Sequence, residues 1–379
     1  MLIDCDANAT YLPDEELRGV ISQFLGRCGN PSSLHRHGQR ARAALEDARA
    51  VMRNFVGARP NDQIVFTSGA SEANNTVVAA CGAAPNAQLV ASAVEHPCVL
   101  EPLRRLSALG REVSLVLPDR GGRIDAHSVS ARLSPTCALV SIMAANNETG
   151  VLNPVAEIAR AARAAAPEAL IHTDAAQLPG KTEISFSDLG VDCMTISGHK
   201  FGAPSGIGAI VVRDGVHLEP FILGGPQEGK LRGGTENVLG ACAMAAAAQA
   251  VAASFAERVR RMRTLRDHFE KIVGELVPGC DVNGLWHERL PNTSSLFVPG
   301  VRADDLVVAL DLEGILVSAG AACSSGKPGP SHVLQAMGQS DERVSSTVRI
   351  SFRGDSELNV ATRVAQAVAR ASERMRRQA

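Results

Sequence analysis

Seven short apolar runs, with helical stretches between several of them, most constrain how this chain of 379 residues can fold. The runs lie at residues 64–66, 89–91, 114–117, 138–143, 169–171, 194–196 and 207–212. Alanine-rich segments such as 154–166 have the composition of helices that pack between strands. Continuous apolar strands that alternate with helices are typical of a mainly parallel sheet covered on both faces. We therefore expect an α/β fold.

The composition excludes several classes of protein. Hydrophobic residues make up 45% of the chain and charged residues 21%, which is ordinary for a globular protein. The net charge of −2 and the 3% of aromatic residues argue against a nucleic-acid binder. No apolar run approaches the roughly 20 residues of a membrane span, and the amino terminus lacks the pattern of a signal peptide. We expect a cytoplasmic protein that binds neither nucleic acid nor membranes.

The length allows two domains with a sizeable core. We expect a large domain over residues 13–255 and a small carboxy-terminal domain over 256–379, with residues 1–12 packing on the small domain. Residues 240–266 predict one long helix that links the two. The other elements expected in the small domain are strands at 293–297, 315–317 and 348–352 and a basic amphipathic helix at 359–378.

The nine cysteines do not predict a metal site or a disulfide framework. No Cys-x-x-Cys pair occurs, whereas zinc and iron–sulfur sites usually show paired spacing. An odd number of cysteines without a signal peptide favours reduced thiols, most of them small buried hydrophobic residues. Cys323 differs from the others, because glycine, serine, lysine and proline surround it in a segment too polar for a core.

Lys200 lies just after the run at 194–196, beside the donors Ser197 and His199 and before a glycine-rich turn. An amine in this position can form a Schiff base with the aldehyde of pyridoxal 5′-phosphate (PLP), while neighbouring donors hold the phosphate. Most lysines that follow strands are simply solvated, so Lys200 alone predicts little.

Two more segments carry chemistry suited to the same cofactor. Asp174 follows the run at 169–171, where a carboxylate can keep the cofactor's ring nitrogen protonated. Residues 67–74 follow another run, and small residues there, among them Ala70 and Ser71, can expose N–H groups to a phosphate. Each segment alone could equally be an ordinary helix cap or turn. Since both lie at the expected carboxyl edge of the sheet, as Lys200 does, a ligand site at that edge is favoured.

Ten blocks of sequence together resemble the class V aminotransferase-like PLP enzymes, and within them the cysteine desulfurases of the NifS/IscS group. In family order they are residues 7–10, 29–35, 67–75, 95–97, 146–150, 172–177, 197–202, 232–237, 318–326 and 349–351. The resemblance implies the aspartate aminotransferase-like fold of PLP-dependent transferases. Its large domain has a mainly parallel seven-stranded sheet, which matches the seven apolar runs, and its smaller domain is α+β.

The resemblance also implies roles for individual residues. Lys200 would carry the cofactor and move the substrate α-proton, and His96 would stack on the pyridine ring and act as acid or base. Cys323 would be the nucleophile that takes the substrate's sulfur. The remaining cofactor contacts implied are Asp174 for the ring nitrogen, Gln177 and Asn147 for the ring oxygen, and Ala70, Ser71, Ser197 and His199 for the phosphate.

The implied substrate contacts are Arg349, Asn147 and Asn8, with the guanidinium of Arg349 gripping the substrate α-carboxylate. The family's usual second arginine is displaced to Arg353 here, so either arginine could face the substrate. Thr235 matches a residue that contacts the phosphate of the neighbouring subunit's cofactor, which implies a homodimer.

The activity implied is that of a cysteine desulfurase. It converts L-cysteine to L-alanine, leaves a persulfide on Cys323 and supplies sulfur to an acceptor such as an iron–sulfur scaffold. Two alternatives remain open from the sequence: a selenocysteine lyase, and a catalytically weak sulfur-relay or scaffold-binding protein. An ordinary aminotransferase is disfavoured, because it has no use for Cys323 in a glycine- and proline-rich segment.

Overall fold

The structure, a computed structural model, describes residues 2–25, 29–84, 86–320 and 329–377. Its strands are β1 Ile3–Asp4, β2 Gln63–Thr67, β3 Gln88–Ser92, β4 Glu112–Val116, β5 Cys137–Ser141, β6 Leu170–Asp174, β7 Cys193–Ser197, β8 Gly208–Val212, β9 Asp281–Val282, β10 Thr293–Phe297, β11 Ile315–Leu316, β12 Ser318–Ala319 and β13 Thr347–Ser351. Its α-helices are α1 Glu15–Ser22, α2 Arg36–Phe55, α3 Ala70–Cys81, α4 Pro97–Ala108, α5 Ala126–Ser130, α6 Val155–Ala165, α7 Phe186–Leu189, α8 Val238–Ala253, α9 Phe255–Leu276, α10 Ala303–Leu312, α11 His332–Ala336, α12 Asp341–Ser345 and α13 Leu358–Arg376. Short 3₁₀ turns span Gly198–Lys200 and Gln227–Lys230.

The seven predicted runs are the seven strands of one large sheet, in the order β2-β8-β7-β6-β5-β3-β4. Only β8 runs antiparallel to its neighbours, and the other pairs are parallel. Helices cover both faces: Val90 of β3 packs into one apolar cluster, and Leu89 and Ala91 pack into another. Because both faces of the central strands are buried, those strands carry mostly apolar residues rather than an alternating pattern, whereas the edge strand β4 is partly exposed. The predicted α/β fold is confirmed.

A second sheet, with the order β12-β13-β10-β9, is antiparallel and packs against α9, α10 and α13. Its core contains the rings of Phe269 and Phe352, whose centroids lie 5.6 Å apart. At the amino terminus, β1 pairs in parallel with β11, and Ile3 and Cys5 belong to the same core. Residues 3–5 therefore pack with the carboxy-terminal part of the chain.

The single helix predicted at 240–266 is wrong, because the chain bends by 75° between α8 and α9. The alanine-rich α8 is buried against α2, whereas the arginine-rich α9 packs on α13 and exposes its charges. A straight helix could not satisfy both surroundings. The Ser254 hydroxyl donates to the Ala250 carbonyl oxygen at 3.1 Å, a contact that often accompanies a helix bend.

No single helix in the described ranges is long and apolar enough to cross a membrane. Only the bent pair α8 and α9 passes that test, by length and composition and only when the two are taken together.

The sheet brings the predicted site residues to one edge. The strands β2, β3, β5, β6 and β7 run in the same direction, so their carboxyl ends meet there. His96 follows β3, Asn147 follows β5, Asp174 ends β6 and Lys200 follows β7. Open α/β sheets bind ligands at this edge.

Candidate active site

A cavity of about 470 Å³ opens at the carboxyl edge of the large sheet. Nine predicted site residues line it: Ala70, Ser71, His96, Asn147, Asp174, Gln177, Ser197, His199 and Lys200. Asn8 and Arg349 lie behind the lining, and Thr235 is exposed elsewhere on the surface. Cys323 lies outside the described residues.

The Lys200 amine is fixed at the wall of the cavity by the amino-terminal segment. Its Nζ donates to the backbone oxygens of Asn8 at 2.7 Å and Ala9 at 2.9 Å. The 3₁₀ turn Gly198–Lys200 aims the side chain away from β7 and toward the cavity. The amine is thus held in position by neutral acceptors, without a carboxylate in those two contacts.

The Asp174 carboxylate is buried, and both of its oxygens are fixed. Oδ2 accepts from Nδ2 of Asn74 at 2.6 Å, and Oδ1 accepts from the backbone N–H of Ala176 at 2.9 Å. These two donors hold an anion at the cavity wall, which suits a protonated ring nitrogen.

The first turn of α3 provides an anion seat. No described side chain caps this helix at Gly69, so its first N–H groups, beginning at Ala70 and Ser71, are available to a ligand. Glu72 lies close by, but its carboxylate accepts from Arg232 Nε at 3.0 Å and from the Ser68 N–H at 2.8 Å. Although burial opposes the shift, these bonds lower the pKa of Glu72, and Arg232 balances its charge.

Gln177 and Asn8 are joined by a residue that the sequence did not single out, Lys181. This lysine is 3% exposed, and its Nζ donates to Asn8 Oδ1 at 2.9 Å and to Gln177 Oε1 at 2.5 Å. Burial, and then the charges of Lys200, Arg349 and a further arginine, hold the pKa of Lys181 well below its usual range. While Oε1 of Gln177 accepts from Lys181, its Nε2 donates one hydrogen to the Asn8 backbone carbonyl at 3.0 Å, which leaves the second Nε2 hydrogen for another acceptor.

The two histidines of the cavity are neutral near pH 7. Burial lowers the pKa of His199 to about 4, and the charges of Lys200 and Lys181 lower it further. Burial also lowers the pKa of His96, where the Asp174 charge opposes the shift and those of Lys200 and His332 reinforce it. A neutral imidazole stacks on a pyridine ring without adding a charge there.

The two candidate arginines have different surroundings. Arg349 is 2% exposed, donates to Asp6 Oδ1 at 2.6 Å and to the Asn147 carbonyl at 3.2 Å, and its Nε has no partner among the described residues. Arg353 is held by Asp355 at 3.0 and 2.8 Å and by the Leu12 carbonyl at 3.0 Å. Arg349 is therefore the arginine that reaches a lining residue and keeps an unused donor.

A smaller cavity of about 260 Å³ adjoins the first and shares His96 and Asn147 with it. Gly320 and Gly329, the described residues that flank segment 321–328, line it as well. Glu148 lies at its wall, where Ser331 donates to its Oε2 at 2.5 Å and burial raises the pKa of Glu148 to about 7. Both described neighbours of the segment that contains Cys323 thus lie beside the main cavity.

Comparison with known proteins agrees with this geometry. The family model for aminotransferase class-V matches residues 5–359. The cysteine desulfurase IscS of Dictyoglomus turgidum is 37% identical over 92% of this chain and 88% of that protein, and a cysteine desulfurase of Cereibacter sphaeroides is 40% identical over 88% and 86%. A solved NifS-like protein has a TM-score of 0.91 at 31% identity, covering 98% of this chain and 99% of that one. Another solved structure, titled SspA in complex with cysteine, has a TM-score of 0.81 at 30% identity, covering 93% and 99%.

The chain therefore belongs to the class V aminotransferase family, as a PLP-dependent enzyme of the NifS/IscS cysteine desulfurase group. The predicted family and cofactor are confirmed. The residues present also fit PLP: the cavity combines a lysine amine, a buried carboxylate and an uncapped helix start, and its volume suits a small cofactor. The individual contacts assigned to the site residues stay predictions.

Sequence reasoning missed Lys181, and it missed the contacts of Asn74 and Cys98, which also belong to the site. Asn74 lies inside a block that was singled out for its small residues. Lys181 follows Gln177 by four residues, but nothing in the sequence shows that it is buried. Cys98 follows His96 by two residues, which is the only local signal of their contact.

Glu95, next to His96, gives a testable dependence of stability on pH. Its Oε1 accepts from Ser92 Oγ at 2.5 Å and from the Met143 N–H at 2.7 Å, and its Oε2 has no partner in the described part of the chain. Burial raises the pKa of Glu95 to about 8, so the folded protein keeps this acid neutral at pH 7 while the unfolded chain ionises it. The stability that Glu95 contributes is therefore present at low pH and is lost as the pH rises toward 8.

Glu95→Gln removes this pH-dependent loss of stability, because glutamine does not ionise. We predict that the free energy of unfolding of the variant, minus that of the wild type, increases between pH 5.5 and pH 8, by at most about 1.4 kcal/mol per pH unit. Urea unfolding of both proteins at several pH values measures this difference, with the exposed Glu101→Gln as the matched control. A difference for Glu95→Gln that stays constant over this range would contradict the buried, neutral state of Glu95.

Proposed function

We propose that this enzyme converts L-cysteine to L-alanine and receives the sulfur on Cys323 as a persulfide. The observation that carries the proposal is the convergence of Lys200, Asp174 and the uncapped start of α3 on one cavity. The similarity to curated cysteine desulfurases over most of the chain supports the same reaction, as does a similar structure described as bound to cysteine.

The chain's own residues divide the work of holding the cofactor and the substrate. The first turn of α3, with Ser71, Ser197 and His199, would hold the phosphate of PLP, and the Asp174 carboxylate would keep the ring nitrogen protonated; these residues line the cavity together. When bound, PLP supplies an electron sink for the pair released at the substrate Cα. The second Nε2 hydrogen of Gln177 would donate to the ring oxygen of PLP, and the contacts of its amide with Lys181 and the Asn8 carbonyl set its orientation.

Proton movement falls to Lys200. Its amine lies at the cavity wall, where the backbone oxygens of Asn8 and Ala9 hold it in position, and a lysine amine in its neutral form is a suitable general base. The neutral amine takes the α-proton of the substrate and returns a proton to the product. His96, which lines the same cavity, would provide a second group for proton transfer beside the bound cofactor.

Cys323 performs the step that defines a desulfurase. Its thiolate attacks the substrate sulfur, so a sulfur–sulfur bond forms and the substrate's carbon–sulfur bond breaks. The electron pair of the broken bond goes to the carbon, which is then protonated to give alanine, and Cys323 keeps the transferred sulfur. The positions of Gly320 and Gly329 at the cavity shared with His96 and Asn147 support this assignment.

The sulfur on Cys323 must pass to a second molecule, and we propose an acceptor protein such as an iron–sulfur scaffold. We place the reaction in the cytoplasm. None of the seven cysteines within the described ranges forms a disulfide, which is compatible with a reducing compartment.

We also propose a homodimer in which Thr235 completes the partner's phosphate site. Thr235 is exposed and does not line the cavity of its own chain. The segment that precedes Thr235 is fixed to α2, because Glu228 forms a buried ion pair with Arg49 at 2.7 Å. Exposed apolar side chains nearby along the chain, Phe221 and Leu223, suit a surface that a second copy covers.

We predict that the protein sediments as a dimer and that Thr235→Ala loses PLP faster on dialysis, since one phosphate donor is removed. The exposed Thr264→Ala on α9 serves as the control and keeps its cofactor. A monomer that retains PLP and full activity would exclude the shared site.

Two substitutions separate the halves of the reaction. Cys323→Ser should still change the visible absorbance of bound PLP when L-cysteine is added, yet release no alanine, because a serine hydroxyl is a poor nucleophile toward sulfur. Lys200→Ala should lose both the lysine-dependent absorbance and alanine release. Spectra and alanine assays measure the two effects, with Cys280→Ser as the control that behaves as wild type. Normal alanine release from Cys323→Ser would show that another group takes the sulfur.

The substrate carboxylate is assigned to Arg349, because its Nε lacks a partner in the described chain and its Nη1 contacts Asn147. Arg349→Lys keeps a positive charge opposite Asp6 but loses the planar fork, so KM for L-cysteine should rise about 10-fold or more. Arg353→Lys should change KM much less, since Arg353 is committed to Asp355. Steady-state alanine formation measures both values. The reverse order of effects would assign the carboxylate to Arg353.

A further inference from the structure

The His96 imidazole is held by its Nδ1 atom alone. His96 is the N-cap of α4, and Nδ1 accepts from the backbone N–H of Cys98 at 3.2 Å. The Sγ of Cys98 lies 2.9 Å from the same nitrogen. The Nε2 atom makes no hydrogen bond within the described part of the chain, although His96 lines the main cavity.

The thiol of Cys98 is itself oriented by Asn74. Nδ2 of Asn74 lies 3.1 Å from Cys98 Sγ and 2.6 Å from Asp174 Oδ2. An amide nitrogen carries two hydrogens, so Asn74 donates one to the carboxylate and one to the sulfur. Asp174 fixes the direction of this amide, because the opposite orientation would place the amide oxygen against a carboxylate.

The sulfur therefore receives a hydrogen bond from Asn74 and also contacts the Ser71 side chain. Because Nδ1 of His96 already accepts from the Cys98 backbone N–H, the thiol is assigned as the donor in its contact with that nitrogen. Burial, followed by the Asp174 charge, raises the pKa of Cys98 to about 12, so the thiol keeps its proton and can donate it. The resulting chain of hydrogen bonds runs from Asn74 to Cys98 to His96, with Asp174 at its start. The carboxylate and the imidazole of the cavity are thus fixed relative to each other by two intervening side chains.

This arrangement determines where the imidazole carries its proton. With two donors directed at Nδ1, the neutral ring has its proton on Nε2. The imidazolium would need a proton on Nδ1, against the N–H of Cys98. The groups that face His96 act in both directions: the Asp174 charge favours the imidazolium, while burial and the charges of Lys200 and His332 disfavour it.

We propose that Cys98 is a positioning residue for His96, whose thiol keeps the imidazole neutral with the Nε2 proton available to the substrate cavity. The inference rests on the proposed function only for the catalytic step in which the Nε2 proton of His96 takes part. A neutral imidazole with its proton on Nε2 donates a hydrogen bond to negative charge that develops in the cavity. While Nε2 carries this proton, it cannot act as a base. Cys98 acts through His96 and does not itself take sulfur.

Nitrogen NMR of the full-length protein labelled with ¹⁵N-histidine tests the proposal directly, because the two ring nitrogens report tautomer and protonation separately. His96→Gln identifies the signal. We expect wild-type His96 to be the Nε2–H tautomer. Cys98→Ala should raise the pKa of His96 by about half a unit to one unit, the effect of one net hydrogen bond, while the backbone N–H of residue 98 still directs the neutral ring toward the Nε2–H tautomer. Cys98→Ser restores a donor and should stay near wild type.

Cys98→Val fills the volume of the thiol without a donor, and it replaces Cys98→Ala if the smaller residue destabilises the fold. Cys280→Ala is the matched control, because the Cys280 thiol donates a hydrogen bond to the Val273 carbonyl and lies away from the site. In the holoenzyme, the acid limb of the pH profile of kcat/KM should shift to higher pH in Cys98→Ala. In Cys98→Ser it should lie close to the wild-type position.

An unchanged His96 pKa in both Cys98→Ala and Cys98→Val would overturn the inference. The NMR measurement needs no turnover, so it is independent of whether the protein desulfurates cysteine. Normal desulfuration combined with an unaltered imidazole in these variants would contradict only the role of Cys98. A protein without desulfurase activity that shows the expected imidazole shift would contradict only the proposed function.

Discussion

The buried side chain of Asn8 is the contact on which the site depends, because it joins three parts of the chain that are distant in sequence. It donates to the Asn147 carbonyl beyond β5 and to Thr293 of the second sheet, and it accepts from Lys181 beyond β6. The backbone carbonyl of Asn8 accepts a hydrogen bond from the Lys200 amine. Every polar atom of the residue is therefore used inside the protein, so a change at Asn8 would disturb both sheets and the catalytic amine together.

The charges around the cavity follow from this packing. Lys200 lines the cavity, and Lys181 and Arg349 lie behind it. The carboxylates of the lining are Asp174 and Glu72, and Glu72 is paired with Arg232. A buried excess of positive charge is costly in an empty protein. It is suited to a ligand that brings a phosphate, and to a substrate that brings a carboxylate. The pKa of His199 is low mainly because the ring is buried, and the nearby lysines lower it further by opposing another positive charge.

The sequence predicted the strands of the large sheet and nine residues of the cavity, because apolar runs mark buried parallel strands and their carboxyl ends meet at one edge. It could not predict the bend at Ser254, since the alanine-rich and arginine-rich halves are each good helix formers and their surroundings differ only in three dimensions. Local spacing also left Arg349 and Arg353 equivalent, and only their partners separate them. Lys181 and Cys98 were missed because their importance comes from contacts between segments.

The central claim is that sulfur leaves L-cysteine at this cavity and is received by Cys323. Mass spectrometry of peptides from the wild-type holoenzyme, after brief treatment with L-cysteine and trapping of persulfides, tests it most directly. The account predicts one additional sulfur atom on the peptide that contains Cys323, removed by a thiol reductant. Additional sulfur on the peptide that contains Cys98 or on any other cysteine instead, or alanine formation without a protein persulfide, would contradict it.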